Sequence, residues 1–252
     1  MARASALSRA LPPPTGGWDT RNALADMPAE NAVVLKNWFP STDKVTLRRG
    51  SSEYSTGMPG PVESLLDYTP ATGSGEMFAA SDGGIYDVSG GDAVGAAEVS
   101  SLTNDRWQHT QISTAGGHFL FACNGQDTPI TFDGTTWGTT TVSASGLTPA
   151  SLVWCNLHQR RLWFGELNSL DAWYLDVNSI TGTPAKFPLG ALAGLGGYIM
   201  AMGTWTRDSG DGADDVAVFL TSEGQAVVYS GTDPASANTW GLVGVFRIGK
   251  PI

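Results

Sequence analysis

Few residue types in this chain are arranged for catalysis. The three histidines, His109, His118 and His158, fall in different stretches and lack the i, i+4 spacing of a zinc-binding helix. No Gly-x-Ser-x-Gly elbow and no Walker loop occurs. Gly194–Gly197 precedes a strand-like run, whereas a dinucleotide loop opens a helix. The sequence therefore predicts core or edge histidines and a non-enzymatic protein without a cofactor.

One acidic, glycine-rich stretch, Asp208–Asp215, has the composition of a metal site. Calcium takes six to eight oxygen ligands, which alternating Asp and Gly residues can supply. The spacing does not match an EF-hand loop, so a solvated hairpin tip is the favoured interpretation. The weak candidate ligands are Asp208, Asp211, Asp214 and Asp215.

Glycan chemistry leaves only faint traces in the sequence. Ala80–Tyr86 comes nearest to the Asp-box turn of sialidase-like blades, but Ala80 stands where that turn carries a hydroxyl. Arg160-Arg161 is the only arginine pair in the repeats described next, and it more simply begins a strand. A glycan hydrolase or lyase remains a minor alternative. A carbohydrate- or receptor-binding module is the larger one, with candidate stacking residues, or alternatively core residues, Trp107, Trp137, Trp163 and Trp173.

The elements that would position any site follow a repeated pattern. An apolar run leads into a turn of small polar residues, and a second strand follows with a central aromatic residue. The second-strand aromatics are spaced by 46, 42 and 55 residues. They are Tyr86, Phe132, Tyr174 and Tyr229, and another apolar stretch precedes each hairpin.

This period predicts an all-β fold, a β-propeller-like array of four-stranded blades, incomplete or open, with an extended N-terminal arm. A β-sandwich is the alternative, because its strands also recur at short intervals. We expect the arm at 1–32 and the propeller-like domain at 33–252. Its units are predicted at 62–105, 106–148, 149–195 and 196–239, with partial strands at 33–50 and 240–252. Either the N-terminal hairpin completes the last blade, or, as the favoured alternative, the chain is a piece of a longer polypeptide.

Composition and charge narrow the classes further. With 32 Gly, 14 Pro and only 15% charged residues, the chain is neither a coiled coil, a helical bundle nor a disordered tail. Residues 1–50 hold seven basic and four acidic residues, while residues 51–252 hold seven and 20, a net charge of −13. A protein that grips a nucleic-acid backbone needs a basic stripe. The larger part of this chain is expected to repel phosphate.

Cysteine usage and hydropathy indicate a soluble protein with reduced thiols. Cys123 and Cys155 lie in apolar, strand-like stretches, where two buried thiols are expected before a disulfide bridge. The most apolar tract, Leu189–Gly203, is 15 residues long and rich in glycine. It is shorter than the roughly 20 residues that a membrane-spanning helix needs, so no membrane anchor is expected.

Several segments are more specific. A proline-rich opening with Gly-Gly-Trp-Asp (Leu11–Arg21), the strand Ala32–Pro40 and the turn Leu47–Gly50 occur in this order. This order resembles virion proteins of tailed phages, and is similar to the tail-tube, nozzle and packaged-DNA stabilisation proteins of short-tailed phages. Further segments carry the same resemblance: Leu102–Thr110, Trp173–Leu175, Gly196–Trp205, Thr221–Gly224 and Gly244–Pro251.

The resemblance implies a structural component of the phage virion, of the tail-nozzle or head-to-tail connector type, made in the bacterial host cytoplasm. It implies a homo-oligomeric ring that contacts portal, adaptor or tail subunits and retains or passes DNA without sequence-specific binding. The arm and the last strand are the expected contact surfaces. The candidate interaction residues are Arg3, Arg9, Trp18, Arg21, Trp38, Arg48, Arg49, Trp240, Phe246 and Arg247.

Overall fold

The computed structural model describes residues 10–208 and 213–251, with the backbone alone at positions 207, 208, 213 and 214. The chain divides into two compact units, Met1–Glu53 and Tyr54–Ile252. The division falls later than the predicted boundary between residues 32 and 33. The reason is local packing, since Pro13 and Pro14 of the arm line one groove with Trp38 and Val45 of the following hairpin.

The N-terminal unit is held by hydrogen bonds and has almost no core. Between residues 10 and 53, Gly17 alone is buried. The Asp19 carboxylate accepts hydrogen bonds from the backbone N–H groups of Arg21 and Asn22 and from the side-chain amides of Asn22 and Asn31. These bonds, led by the one from the Asn22 backbone, hold the pKa of Asp19 well below its usual value. The strands of this unit are β1 (Gly17–Trp18), β2 (Asn31–Ala32), β3 (Trp38–Pro40) and β4 (Val45–Leu47), paired β1–β2 and β3–β4.

The C-terminal unit is a series of antiparallel sheets whose strands follow one another in sequence. The first sheet is β5 (Ser64–Tyr68), β6 (Glu76–Ser81) and β7 (Gly84–Asp87). The second is β8 (Gln108–Thr114), β9 (Gly117–Cys123), β10 (Ile130–Phe132) and β11 (Trp137–Thr139). The third, after a 3-10 turn at Pro149–Ser151, is β12 (Leu152–His158), β13 (Arg161–Glu166), β14 (Asp171–Tyr174) and β15 (Ala185–Pro188). The fourth is β16 (Ile199–Asp208), β17 (Ala213–Thr221), β18 (Gln225–Gly231) and β19 (Trp240–Arg247).

This architecture confirms the predicted all-β, propeller-like array of mostly four-stranded sheets. Each predicted hairpin is present, and each predicted preceding stretch forms the first strand of its sheet. In the first sheet the fourth strand is reduced to an isolated bridge between Ile85 and Val99. Among the residues that the structure describes, no helix has the length and apolarity that a membrane crossing requires.

The fourth sheet extends past the unit boundary predicted at residue 239. The strand Trp240–Arg247 is its fourth strand and pairs along its length with Gln225–Gly231. The predicted partial strand at 240–252 is therefore corrected to an outer strand of the last sheet. The physical reason is that β18 needs a partner for its second edge, and β19 follows it after a short loop.

Turn chemistry explains why the hairpins form where they do. In the first hairpin Ser81 pairs with Gly84, so Asp82 and Gly83 form a two-residue turn. Both have positive φ, 49° and 72°. A two-residue hairpin of this type needs positive φ at both central positions, which Asp-Gly adopts readily. The Asp-Gly sequence thus sets the register of the β6–β7 pair.

Side chains alternate across each sheet and build three separate cores between neighbouring sheets. In β9, Leu120 and Ala122 pack toward the first sheet, while Phe121 and Cys123 pack toward the third. In β13, Leu162 and Phe164 pack toward the second sheet, while Trp163 packs toward the fourth. The second and third sheets are thus covered on both faces.

Candidate assembly surfaces

The fourth sheet leaves one apolar face uncovered among the residues that the structure describes. Its residues line a groove of about 420 Å³. Trp205 is 68% exposed and Phe246 is 51% exposed, although both are large apolar side chains. We call this surface the fourth-sheet face; it consists of Trp205, Val216, Val218, Ala226, Val228, Val243, Phe246 and Ile248.

Strand alternation creates this face. In β17, Ala217 and Phe219 are buried against the third sheet, and Val216 and Val218 between them point the other way. The register continues the stripe across the sheet, since Val218 pairs with Val228. Both faces of these strands are apolar, a pattern typical of strands buried on both sides.

The first sheet presents a second apolar face at the other end of the series; residues 54–62 line part of it, and Ala79 at its base is buried. In β6, Phe78 and Ala80 are buried against the second sheet, so Met77 and Ala79 face away from it. Leu65 pairs with Ala79 on that side and is 57% exposed. We call this surface the first-sheet face; it lines a groove of about 340 Å³ formed by Tyr54, Ser55, Met58, Val62, Leu65, Met77, Ala79 and Val88.

Polar contacts join the first strands of neighbouring sheets. The Asp67 carboxylate of β5 lies 2.9 Å from Nε2 of His109 in β8 and accepts a hydrogen bond from the Gln111 amide. In β12, the Asn156 amide donates to the Met202 carbonyl of β16 at 2.6 Å. The Cys155 sulfur lies 3.5 Å from the Gln108 carbonyl and 3.8 Å from the Phe121 carbonyl, two acceptors that share its single S–H. These bonds connect neighbouring sheets along the edge that their first strands form.

His158 is the most deeply buried of the three histidines, and its protonation makes the contact between the third and fourth sheets sensitive to pH. Its Nδ1 lies 3.0 Å from the Thr204 hydroxyl, and its ring packs edge-on against Trp240. Desolvation lowers the pKa of His158, and the more distant Asp215 carboxylate only partly opposes this. The imidazole is therefore held neutral between the third and fourth sheets.

We predict that the free energy of unfolding falls as the pH drops from 7 toward 5. The unfolded chain takes up a proton on His158 near pH 6.5, whereas the folded protein takes it up only at lower pH. Each unit by which the folded pKa lies below the unfolded value costs about 1.4 kcal/mol of stability at low pH. Urea titrations at several pH values test this, with His158→Gln as the comparison. The variant should lose this part of the pH dependence, and an unchanged slope would contradict the assignment.

The N-terminal unit carries several of the predicted interaction residues on its surface. Trp18 is 68% exposed, with its indole N–H donating to the Val33 carbonyl at 2.9 Å. Trp38 lies in β3 and is also exposed. Arg21, Arg48 and Arg49 are exposed as well, and Arg3 and Arg9 lie outside the described residues. Other exposed apolar side chains of this unit are Leu11, Leu24, Val33, Val34, Phe39 and Leu47.

Among the predicted residues of the last strand, Trp240 is corrected. It is 6% exposed, because its ring is stacked between Trp163 and Tyr229 at centroid distances of 5.8 and 5.7 Å. It is a core residue of the interface between the third and fourth sheets. Phe246 and Arg247 are exposed, and Phe246 belongs to the fourth-sheet face.

Of the four candidate metal ligands, the structure describes the side chain of Asp215 alone. Asp211 lies outside the described residues, and the side chains of Asp208 and Asp214 are likewise outside them. Asp215 accepts a hydrogen bond from the Thr206 hydroxyl at 2.6 Å across the β16–β17 pair. No group of three or more His, Cys, Asp or Glu side chains with metal-site geometry occurs among the described residues.

The residues considered for glycan chemistry have structural roles. Trp107, Trp163 and Trp173 are each at most 3% exposed, and Trp137 is partly buried against Phe78 and Phe132. Arg161 contacts Asp176 and reaches Asp233 of the β18–β19 loop at 3.2 Å, while Arg160 is exposed in the turn. The four tryptophans therefore offer no exposed row of stacking platforms.

Most of the fourth-sheet face is not predicted by the sequence pattern described above. Trp205 lies within the segment Gly196–Trp205 that carries the resemblance, and Phe246 is among the candidate interaction residues, whereas the valines of β17 and β18 are not among the candidates. A signal was present, because Val216–Phe219 and Ala226–Tyr229 are apolar at every position. A strand with one solvated face alternates apolar and polar residues, whereas an unbroken run indicates that both faces need cover.

Comparison with known proteins gives a likeness to solved structures alone. No protein-family model matches the chain, and no curated protein matches it. Among solved structures, the chain is similar to a crystal structure of BBS1N in complex with ARL6DN soaked with mercury, with a TM-score of 0.45 and 14% identity over 76% of this chain and 56% of that one. The same complex soaked with lead gives a TM-score of 0.47 and 13% identity over 81% of this chain and 57% of that one. The chain thus spans less than two thirds of the length of each of these structures.

Proposed function

We propose that this protein is a non-enzymatic structural component of a phage virion, of the tail-nozzle or head-to-tail connector type, that works through its surfaces. The observation that carries the proposal is the uncovered apolar fourth-sheet face, where Trp205 and Phe246 stand exposed above a row of valines. Soluble monomers rarely expose a contiguous apolar patch of this kind, and such patches mark association sites. The face supports an assembly role, and the sequence resemblance supports the phage setting.

The N-terminal unit supports the same role. Residues 10–53 bury a single residue, Gly17, and expose Trp18, Trp38 and Phe39. A segment of this size with so little buried surface has little core stability of its own. Its apolar side chains gain their cover when a neighbouring virion subunit, a portal, adaptor or tail protein, binds over them. The basic residues of the first fifty positions suit an acidic partner surface.

Charge fits a conduit for packaged DNA. The net charge of −13 over residues 51–252 works against phosphate binding. Each phosphate contact made by Lys or Arg adds affinity through counterion release, so a wall with few such contacts lets the duplex slide. Retention or passage of DNA in this proposal depends on the shape of the assembly, with no reading of base sequence.

The proposal is tested in particles. Tailed particles from a culture that makes the protein are purified on a density gradient, and peptides of this chain are quantified against the major capsid protein. We expect a constant ratio across the particle fractions. A Phe246→Asp variant, expressed at the same level, should be lost from the particles, because a charge on the fourth-sheet face opposes its burial.

The matched control is Leu167→Asp, since Leu167 is 52% exposed in the β13–β14 turn and lies on neither apolar face. This control should enter particles as the parent does. Absence of the parent chain from every particle fraction would overturn the virion assignment.

A further inference from the structure

We infer that the fourth-sheet face binds the first-sheet face of a second copy of this chain, in a head-to-tail contact. The inference rests on the proposed function, in which the fourth-sheet face is an assembly surface, and it names the partner of that face. Both faces belong to the same unit of the chain and lie at opposite ends of one series of sheets.

The direction of the repeat supports this pairing. Within the chain, each core lies between two neighbouring sheets. It is formed by the face of one sheet that is directed toward the following sheet, and by the face of the following sheet that is directed back toward it. In the second core, Phe121 of β9 meets Phe164 of β13 at a centroid distance of 5.0 Å. In the third core, Trp163 of β13 meets Phe219 of β17 at 5.5 Å. Two sheets thus pack through opposite faces of the same repeated unit.

The two partly exposed faces are the two halves of one further contact of this kind. Val216 and Val218 occupy in β17 the alternate positions that Phe121 and Trp163 occupy in β9 and β13, on the side turned toward the next sheet. Met77 and Ala79 occupy in β6 the positions that turn back toward a preceding sheet. The missing contact is continuous with the interfaces that already hold the four sheets together.

The composition of the two faces suits each other. Large side chains project from the fourth-sheet face, with Trp205 and Phe246 as its anchors. The first-sheet face is a groove lined by Met58, Met77 and Ala79 among other residues, in which the methionines can adjust their shape to an inserted ring. Exposed aromatic anchors that enter an apolar groove are the usual centre of a protein interface.

A contact between two different faces has a consequence that a symmetric contact lacks. Head-to-tail contacts either close into a ring or continue as a filament. Propellers close with about four to eight sheets, and two copies of this chain bring eight. We therefore expect this chain of 252 residues to form a discrete dimer that contains the contact twice.

The experiment uses the purified 252-residue chain and two single-face variants in sedimentation velocity and light scattering. Phe246→Asp disables the fourth-sheet face and Leu65→Asp disables the first-sheet face. We expect each variant alone to associate about a hundredfold more weakly than the parent, as expected for removing a central anchor. An equimolar mixture should form a one-to-one heterodimer, because each variant keeps the face that the other lacks.

Two controls are needed. One shows that the variants are folded, and the other distinguishes a failure of the head-to-tail contact from a failure of the proposed function. Both substitutions are at positions more than half exposed, and thermal melting should show both variants folded; Leu167→Asp should associate as the parent does. A monomeric parent, or a Leu65→Asp variant that associates as strongly as the parent, would overturn the head-to-tail contact. A monomeric parent that is nevertheless present in particles would leave the proposed function standing, whereas a dimer that is absent from particles would remove the virion assignment alone.

Discussion

A Trp163→Ala variant should lose about 3–5 kcal/mol of its free energy of unfolding, the range for a fully buried aromatic residue. Trp163 is 0% exposed and lies at the centre of the core between the third and fourth sheets. Its ring centroid is 4.9 Å from that of Tyr174, 5.5 Å from Phe219 and 5.8 Å from Trp240. Alanine would leave a cavity among rigid rings that cannot collapse into it. Urea unfolding followed by circular dichroism measures the loss.

The conservative comparison is Trp163→Phe. It keeps an aromatic ring in the cluster and removes an indole N–H that has no hydrogen-bond partner among the described residues. The loss should be clearly smaller than for alanine. Equal losses in the two variants would show that the ring contributes little, and a loss below about 1 kcal/mol for alanine would contradict the predicted cavity cost.

The second large effect is expected at Gly165, where alanine should destabilise the fold by about 1–3 kcal/mol. An added Cβ would overlap the indole of Trp154, which the first strand of the same sheet carries. Trp154 is 5% exposed, and its N–H donates to the Ile199 carbonyl of the fourth sheet at 3.3 Å. Moving the indole therefore disturbs packing and an inter-sheet hydrogen bond together.

Gly138 provides the matched control. It is also a strand glycine, in β11, and an added Cβ would meet no atom within 4 Å. Gly138→Ala should leave stability unchanged or raise it by up to about 1 kcal/mol, because alanine restricts the unfolded chain. Similar losses at both positions would show that the glycine-specific contact with Trp154 is not the cause.

Most of the fold could be predicted from the repeated hairpin pattern in the sequence. Hairpins are local, and their signals lie in adjacent residues: an apolar run, a turn such as Asp82-Gly83, and an aromatic second strand. For that reason the four hairpins and the strands before them could be placed from the sequence. The same local reasoning anticipated that Cys123 and Cys155 are free thiols, since both lie in apolar strands.

The remaining features of the fold could not be predicted, because they depend on contacts between residues that lie far apart in the sequence. Trp240 looked like part of a loose terminal strand, but its burial depends on Trp163, which comes 77 residues earlier in the chain. Likewise, whether an apolar strand is covered on one face or both depends on which sheets follow it. The fourth-sheet face became visible only once Ala217 and Phe219 were seen to use the opposite side. The N-terminal hairpin clusters with the arm because of contacts from Pro13 and Pro14, for which sequence spacing gives no signal.

The two free thiols also allow the separation of neighbouring sheets to be followed by chemical modification. Cys123 belongs to the second sheet and Cys155 to the third, and the Cys155 sulfur lies 3.8 Å from the Phe121 carbonyl across the gap between them. Burial, reinforced by the neighbouring Cys123, raises the pKa of Cys155 and keeps it protonated at neutral pH. An alkylating reagent reacts with thiolate, so this partly buried thiol should react slowly while the two sheets stay packed and faster when they separate. The rate of Cys155 modification then reports how often the second and third sheets separate, and no cysteine has to be introduced for the measurement.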